Sequence, residues 1–398
     1  MNQLHANFSF SLMDRSVSPD SRRQFLRQAG LGTALAAVAG PAAALPLSSL
    51  SSTAMQHADQ KKIGFAIVGL GKFATEQMMP AFKETKHARI VALVSGSPDK
   101  AARLAREYGV EPKNIYNYQN FDTIRDNPAV DVVYVVVPPA LHADFAVRAA
   151  RAGKHVLSEK PMAPTVAECQ RMIDACREAG KKLMIAYRAQ YEPFNLDAIA
   201  RIRRGELGKL MQITADHGRI VDPTGDKADS WRVVKKLAGG GSLMDIGIYS
   251  LNAARYLTGE EPTEVTAMEM TDRSDPRFKE VEDRIHFTLR FPGGALATCT
   301  SAYSIQEVKR FRAFGDKAWL DLDPATDYYR HHMTIGDKDG QREPQLKEGN
   351  QFAAELDHMA ECVLNNKTPK TPGEEGLRDI RLVHAIYEAA RTGKAVKV

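Results

Sequence analysis

The chain has 398 residues, a length suited to two or three domains of about 150 residues each, and 43% of them are hydrophobic and 26% charged. That is the composition of a folded globular protein; it excludes a disulfide-stapled mini-protein, a long disordered chain and a polytopic membrane protein. Lys and Arg number 54 against 49 Asp and Glu, a net charge of +5; residues 1–44 hold Arg15, Arg22, Arg23 and Arg27 against Asp14 and Asp20, so the remainder carries +3, too little to point to nucleic acid.

The first element is an address. Ser21-Arg22-Arg23-Gln24-Phe25-Leu26 precedes an uncharged run rich in Ala and Gly that ends in Ala42-Ala43-Ala44, the pattern of a twin-arginine export signal over residues 1–44. The run is too short and too interrupted by Pro41 to span a bilayer. The expectation is therefore a periplasmic protein, exported folded, with no integral membrane contact after cleavage. Residues 45–61 are polar and Ser-rich and read as an arm.

Ordered sequence begins at residue 62. Short apolar runs at 63–68, 89–95, 130–138, 155–158 and 183–187 alternate with helical segments at 72–84, 98–108, 141–152 and 166–180. Buried strands alternating with helices make a parallel, doubly wound sheet, here over residues 62–186. Beyond 187 the rhythm changes. Helices near 195–205 and 244–257 are followed by strand-like segments at 263–271, 283–291, 294–303, 308–314 and 317–322, then by helices at 351–365 and 376–392, the last stopped by Gly393. The expected fold is α/β plus α+β: an N-terminal Rossmann dinucleotide-binding domain (62–186), then a substrate and oligomerisation domain (187–398) with a large, mostly antiparallel open sheet. Its broad apolar strands point to a homodimer or homotetramer.

Cys169, Cys176, Cys299 and Cys362 show no metal-site spacing. Seven helical residues put the Cα atoms of Cys169 and Cys176 roughly 10 Å apart, beyond disulfide reach, so small core residues are expected and metal is not.

Gly69-Leu70-Gly71-Lys72-Phe73-Ala74 follows the first strand and opens a helix. Gly69 allows the tight turn, Gly71 lets backbone approach a pyrophosphate, and Ala74 permits close helix packing. The second strand ends in Ser95-Gly96-Ser97-Pro98-Asp99-Lys100, without the acid that binds a ribose 2′-hydroxyl. Ser95, Lys100 and Lys72 suit a 2′-phosphate instead, which selects NADP. Ser158-Glu159-Lys160-Pro161 places a lysine at a strand's carboxyl end, where open α/β sheets bind ligands. Gly239-Gly240-Gly241 leads into Asp245 and Tyr249, four residues apart on one helix face. A lysine, an acid and a phenol form a proton-transfer set when the cation favours the phenolate, since a free phenol holds its proton to about pH 10.

The segments AIVGLGK, ALVSGSPDKA, EKPMA, LAGGGSLMDIGIY, VEDRI and PGEEG resemble the glucose-fructose oxidoreductase/inositol dehydrogenase family across the whole chain after the signal, and Tyr249 in place of the histidine of many relatives resembles the glucose-fructose branch. The resemblance implies that Lys160, Asp245 and Tyr249 are catalytic, that Glu159, Lys160, Arg188, Trp231 and Arg232 join the glycine turn around the cofactor, and that His142 lies near the nicotinamide. Tyr187, Tyr191 and Tyr249 would meet the sugar. It also implies bound NADP cycling in place, with glucose oxidised at C1 to the lactone and fructose reduced to sorbitol. The short arm, the segment 332–350 and Pro139 depart from the family pattern and bear on cofactor retention and on the acceptor sugar. Three other readings stay open: an aldose-aldose oxidoreductase, a sugar dehydrogenase with exchangeable NADP, and a non-catalytic sugar or nucleotide sensor. If the export reading holds, replacing Arg22 and Arg23 together by Lys leaves uncleaved precursor in the cytoplasm, visible on fractionation and blotting; normal periplasmic yield would reject it.

Overall fold

The computed structural model describes residues 62–398; the export signal and the arm assigned to 1–61 lie outside them. The chain builds two sheets. The first contains β1 (Ile63–Val68), β2 (Ala88–Val94), β3 (Ile115–Tyr116), β4 (Val132–Val135), β5 (His155–Glu159) and β6 (Leu183–Ala186), in the order β3-β2-β1-β4-β5-β6 with every pairing parallel. Valine-rich β4 is buried along its whole length, as a strand covered by helices on both faces must be. The order reverses between β1 and β4, and at that switch point the carboxyl ends of the strands open a crevice.

The second sheet has nine strands, β7 (Leu210–Ile220), β8 (Glu264–Met270), β9 (Arg284–Arg290), β10 (Leu296–Ala302), β11 (Ser304–Gly315), β12 (Ala318–Leu322), β13 (Met333–Asp337), β14 (Gly340–Arg342) and β15 (Val396–Lys397), ordered β14-β13-β12-β11-β7-β10-β9-β8-β15. All its pairings are antiparallel except β7 with β10. The turn Phe291-Pro292-Gly293-Gly294 closes the β9–β10 hairpin, with Gly294 N–H donating to the Phe291 carbonyl at 3.0 Å. Sequence pattern misses β7, the strand at the sheet's centre, because Leu210, Met211 and Gln212 at its start are partly or fully exposed and alternation emerges only from Ile213.

The boundary at 186/187 does not divide the packing. Helix Gln351–Leu364 belongs to the second half by sequence, yet its Phe352, Leu356, Met359 and Ala360 share a core with Phe65, Ile67, Leu93 and Tyr134 of the first sheet. Helix Gly373–Thr392 packs against β6, β8 and helix Val166–Glu178, so it too joins both halves. It ends at Gly393, whose φ of +65° matches the expected left-handed cap. All four cysteines are buried and unpaired, and burial pushes the Cys169 and Cys176 thiols up to about 12. No described helix is long and apolar enough to cross a membrane, and among the described residues no acid, His or Cys cluster could hold a metal.

Because helix 351–364 ties the halves together, Leu356→Ala, at a fully buried position, is expected to cost about 3 kcal/mol. Urea unfolding followed by fluorescence and by far-UV circular dichroism should shift as one transition; two separated transitions would show that the halves unfold independently.

Candidate active site

Four strand ends supply the crevice. Gly69 follows β1 with φ +94°, and a Cβ there would lie 2.2 Å from the Val136 carbonyl oxygen, so only glycine fits. A Cβ on Gly71 would meet nothing within 4 Å: the turn faces open space at the start of the helix over 72–81. Ser95 follows β2, its hydroxyl accepting from Ser97 N–H at 3.1 Å, and Lys100 reaches back to donate to the Leu70 carbonyl at 3.2 Å. Ala74 is fully buried. Phe73 sends its ring toward Tyr328 and Phe352, leaving only its backbone to the turn. Lys72 pairs with Asp226 at 2.8 Å; both groups are well exposed, and the pair is worth little.

Lys160, at the end of β5, is the hub of the second cluster. Its ammonium donates to the Asp245 carbonyl at 2.7 Å, lies 3.5 Å from Asp245 Oδ1 and sits 4.6 Å from the centre of the Tyr249 ring. Asp245 belongs to a π-turn, Leu243–Gly247, that opens the helix Ile248–Thr258 carrying Tyr249; such turns recur at functional sites. The glycine run seats this helix start. A Cβ on Gly241 would strike the Glu282 carbonyl at 2.0 Å, and the Glu282 carboxylate accepts from Gly241 N–H (2.7 Å), Leu243 N–H (2.9 Å) and the Tyr387 hydroxyl (2.8 Å).

The Asp245 carboxylate also accepts from Arg232 Nε at 2.8 Å and from the Tyr303 hydroxyl at 2.8 Å. Burial alone would push this carboxyl up; Arg232, Lys160 and the two hydrogen bonds overrule it and hold it well below the usual carboxylate range. Burial likewise opposes the charge on Lys160, but the facing Tyr249, Asp245 and Glu159 raise its pKa on balance. A second cation stands at the same phenol: the Arg188 guanidinium lies 4.9 Å from the Tyr249 ring centre, fixed by the carbonyls of Thr326 and Asp327 and by Gln351. His217 of β7 stacks on Tyr249, with ring centres 5.0 Å apart and planes 23° apart.

Several residues assigned to ligands by resemblance are engaged elsewhere. Arg232 is held by Asp245, by Asp229 and by the Ala228 carbonyl, and covers the Trp231 ring at 4.4 Å, so it neutralises acids of the chain rather than standing free for a phosphate. Glu159 is half-buried and accepts from the Tyr134 hydroxyl at 2.6 Å, on the side of the first sheet that packs helix 351–364. His142 is 1% exposed, its nitrogens 2.9 Å from the Pro161 carbonyl and 2.7 Å from the Val137 carbonyl. It joins the loops after β4 and β5 and presents no free atom to a nicotinamide. The Tyr187 hydroxyl lies beside Asp379 and Glu375 of the last helix, and Tyr191 bonds Thr371 at 3.2 Å and packs on His358. Neither tyrosine joins the Lys160 cluster. Arg188, assigned to the cofactor, instead stands over the phenol.

Sequence reasoning missed Tyr303, Glu282 and His217. The VEDRI segment holds a signal for the second, since an acid pair before a strand is unusual in a buried region; Tyr303 and His217 have none without the pairing of the sheet.

With the geometry in place, the chain matches two family models, "Oxidoreductase family, NAD-binding Rossmann fold" over residues 63–187 and "Oxidoreductase family, C-terminal alpha/beta domain" over 199–398. It belongs to this two-domain GFO/IDH/MocA oxidoreductase family. Among solved structures it is similar to an aldose-aldose oxidoreductase from Caulobacter crescentus complexed with glycerol, at 52% identity and a TM-score of 0.82 over 85% of this chain and 100% of that one. It is also similar to a 3-ketoreductase from Actinomadura kijaniata in complex with NADP and TDP-benzene, at 26% identity and a TM-score of 0.74 over 83% of this chain and 98% of that one. A D-xylose 1-dehydrogenase [NADP(+)] of Haloarcula marismortui is 31% identical over 86% of this chain and 95% of its own length.

Asp245 is depressed in the folded state, so its contribution to stability is present above the ordinary carboxylate value of about 4 and lost as pH falls toward its folded value. Asp245→Asn should cost about 3–5 kcal/mol at pH 7, because it leaves Arg232 and Lys160 buried without their counter-charge. The cost should shrink in acid; equal unfolding free energies for the two proteins at pH 7 would contradict this account.

Proposed function

We propose that the chain is an NADP-dependent aldose oxidoreductase that passes hydride from C1 of one sugar to a second sugar without releasing its nucleotide. The observation that carries this reading is the convergence of Lys160 and Arg188 on Tyr249, with Lys160 following β5 of the same parallel sheet whose β1 leads into the glycine turn. The residues present fit NADP: open space over Gly71 admits a pyrophosphate, and the acid-free end of β2 with Lys100 against the turn suits a 2′-phosphate. When bound, the nicotinamide supplies the hydride acceptor and donor.

The chain's own groups move the proton. Tyr249 takes it from the C1 hydroxyl of the aldose being oxidised and returns it to the carbonyl oxygen of the sugar being reduced. Lys160 and Arg188 offset the negative charge that the Tyr249 oxygen carries before it takes the proton and again after it has returned it. Asp245 keeps Lys160 charged and aimed, and Arg232 with Tyr303 keeps Asp245 in place.

The 52% identity to an aldose-aldose oxidoreductase supports a second aldose as the acceptor. Fructose, reduced to sorbitol, is the second reading, favoured by Tyr249 and the glucose-fructose-like segments around it. The twin arginines support loading of nucleotide in the cytoplasm before export of the folded enzyme. Exposed Met211, Met268, Met270 and Leu296 on the second sheet support a homo-oligomer.

Purified protein with no nucleotide added should gain absorbance near 340 nm when given glucose and lose it when given the true acceptor, so xylose and fructose added separately decide between the two readings. Protein isolated empty and active only with continuous NADP supply would reject the in-place cycle. Tyr249→Phe and Lys160→Ala should each lower turnover by roughly 10²-fold or more. The double variant should lose far less than their product, because the two act as one unit.

A further inference from the structure

β7 sends Ile213, Ala215 and His217 to its buried face in strict alternation. The first two are apolar core residues. At the third step, where the strand reaches Tyr249, the pattern calls for another apolar side chain and the sequence supplies an imidazole. A phenylalanine would stack on Tyr249 equally well, so the ring's nitrogens are the property to explain. Nδ1 lies 3.3 Å from Thr326 Oγ1. Nε2 bonds to no group among the described residues, and the residue keeps 4% of its surface exposed.

The ring is neutral. Burial holds its pKa well below the usual histidine value, and Lys309, Lys160 and Arg188 add to that effect. A neutral imidazole with one nitrogen on a hydroxyl, which can itself donate or accept, can donate or accept at the other. Lys160 and Arg188 stand at the same Tyr249 phenol, and as cations they only donate. His217 is thus an uncharged, adaptable partner stacked on Tyr249.

We propose that His217 is a sugar-specificity residue: its Nε2 engages the hydroxyl on the carbon next to the one being oxidised, while Tyr249 works on the reacting hydroxyl. This rests on the aldose-oxidising reading above. Stacking keeps the imidazole against the phenol, so that one ring can meet the C1 hydroxyl and the other its C2 neighbour, and Thr326 holds the imidazole by its Nδ1.

The test compares glucose with 2-deoxyglucose, and separately the equilibrium binding of 1,5-anhydroglucitol with that of its 2-deoxy counterpart, which cannot react at C1. Wild-type protein should favour the 2-hydroxy compounds by roughly 10-fold in kcat/KM and in affinity, the size of one hydrogen bond. His217→Phe, which keeps the stack, should bring both ratios to within about 2-fold, chiefly through KM, and His217→Gln should restore part of them. A His217→Phe variant with wild-type ratios would overturn the proposal. Should that variant fail to fold, Thr326→Val reads the same quantity: a ratio lowered about 3-fold supports the assignment, and an unchanged one rejects it. If the wild type oxidises neither sugar, the functional reading falls. The binding arm then judges His217 alone, equal affinity for the two polyols counting against it.

Discussion

The arrangement of the site depends on one buried carboxylate. Asp245 sits between Lys160, just after the first sheet's β5, and Arg232 from the segment before the helix that carries Tyr249, with Tyr303 between two strands of the second sheet closing the set. Two cations buried together would repel and would each shed their water at a cost of several kcal/mol. One carboxylate with saturated hydrogen bonding makes the pair tolerable, and in doing so it fixes where the Lys160 ammonium points. The proton chemistry assigned to Tyr249 follows from that placement, because a lysine free to swing into solvent would not stand over the phenol.

The two sheets are arranged so that this carboxylate can be reached from both. Lys160 comes from a parallel sheet whose strand ends open at the β1/β4 switch point, and Tyr303 from the loop between β10 and β11. Between them the helix with Asp245 and Tyr249 is anchored at its first turn by Glu282, which satisfies backbone N–H groups that a helix start otherwise leaves unpaired. The return of helix 351–364 to the first sheet adds a second clamp, since its Gln351 fixes Arg188 over Tyr249. Rigid placement of this kind is what transfer of a proton and a hydride in one cleft requires.

Much was legible in the sequence where the signal is local. Periodicity marks the helix Pro98–Tyr108 at its observed limits and the parallel strands by their apolar runs. The glycine turn, Lys160, Asp245 and Tyr249 stand in motifs with a physical reason for each residue, and the missing acid after β2 reads directly as a statement about the nucleotide. Legibility fails for residues whose role depends on a partner far along the chain. Glu159, His142, Tyr187 and Tyr191 lie in or beside the right motifs, yet their side chains turn into the core and bond to Tyr134, Val137 and Pro161, or approach Asp379 and Thr371. Sequence proximity to a motif says nothing about which way a side chain leaves the backbone, and in a strand that direction alternates at every residue.

By itself the sequence determined the two-sheet architecture, the dinucleotide turn and the lysine–acid–phenol set, because each is written in spacing, glycine placement and residue chemistry within a few positions. Only the tertiary structure decided that Arg188 and His217 flank the phenol, that Tyr303 and Arg232 hold the acid, and that helix 351–364 returns to the first sheet. Those contacts join residues from 13 positions apart, Arg232 with Asp245, to 163, Arg188 with Gln351, and further still where helix 351–364 meets β1. They are set by how strands pair and helices pack, not by any pattern that a local stretch of sequence can carry.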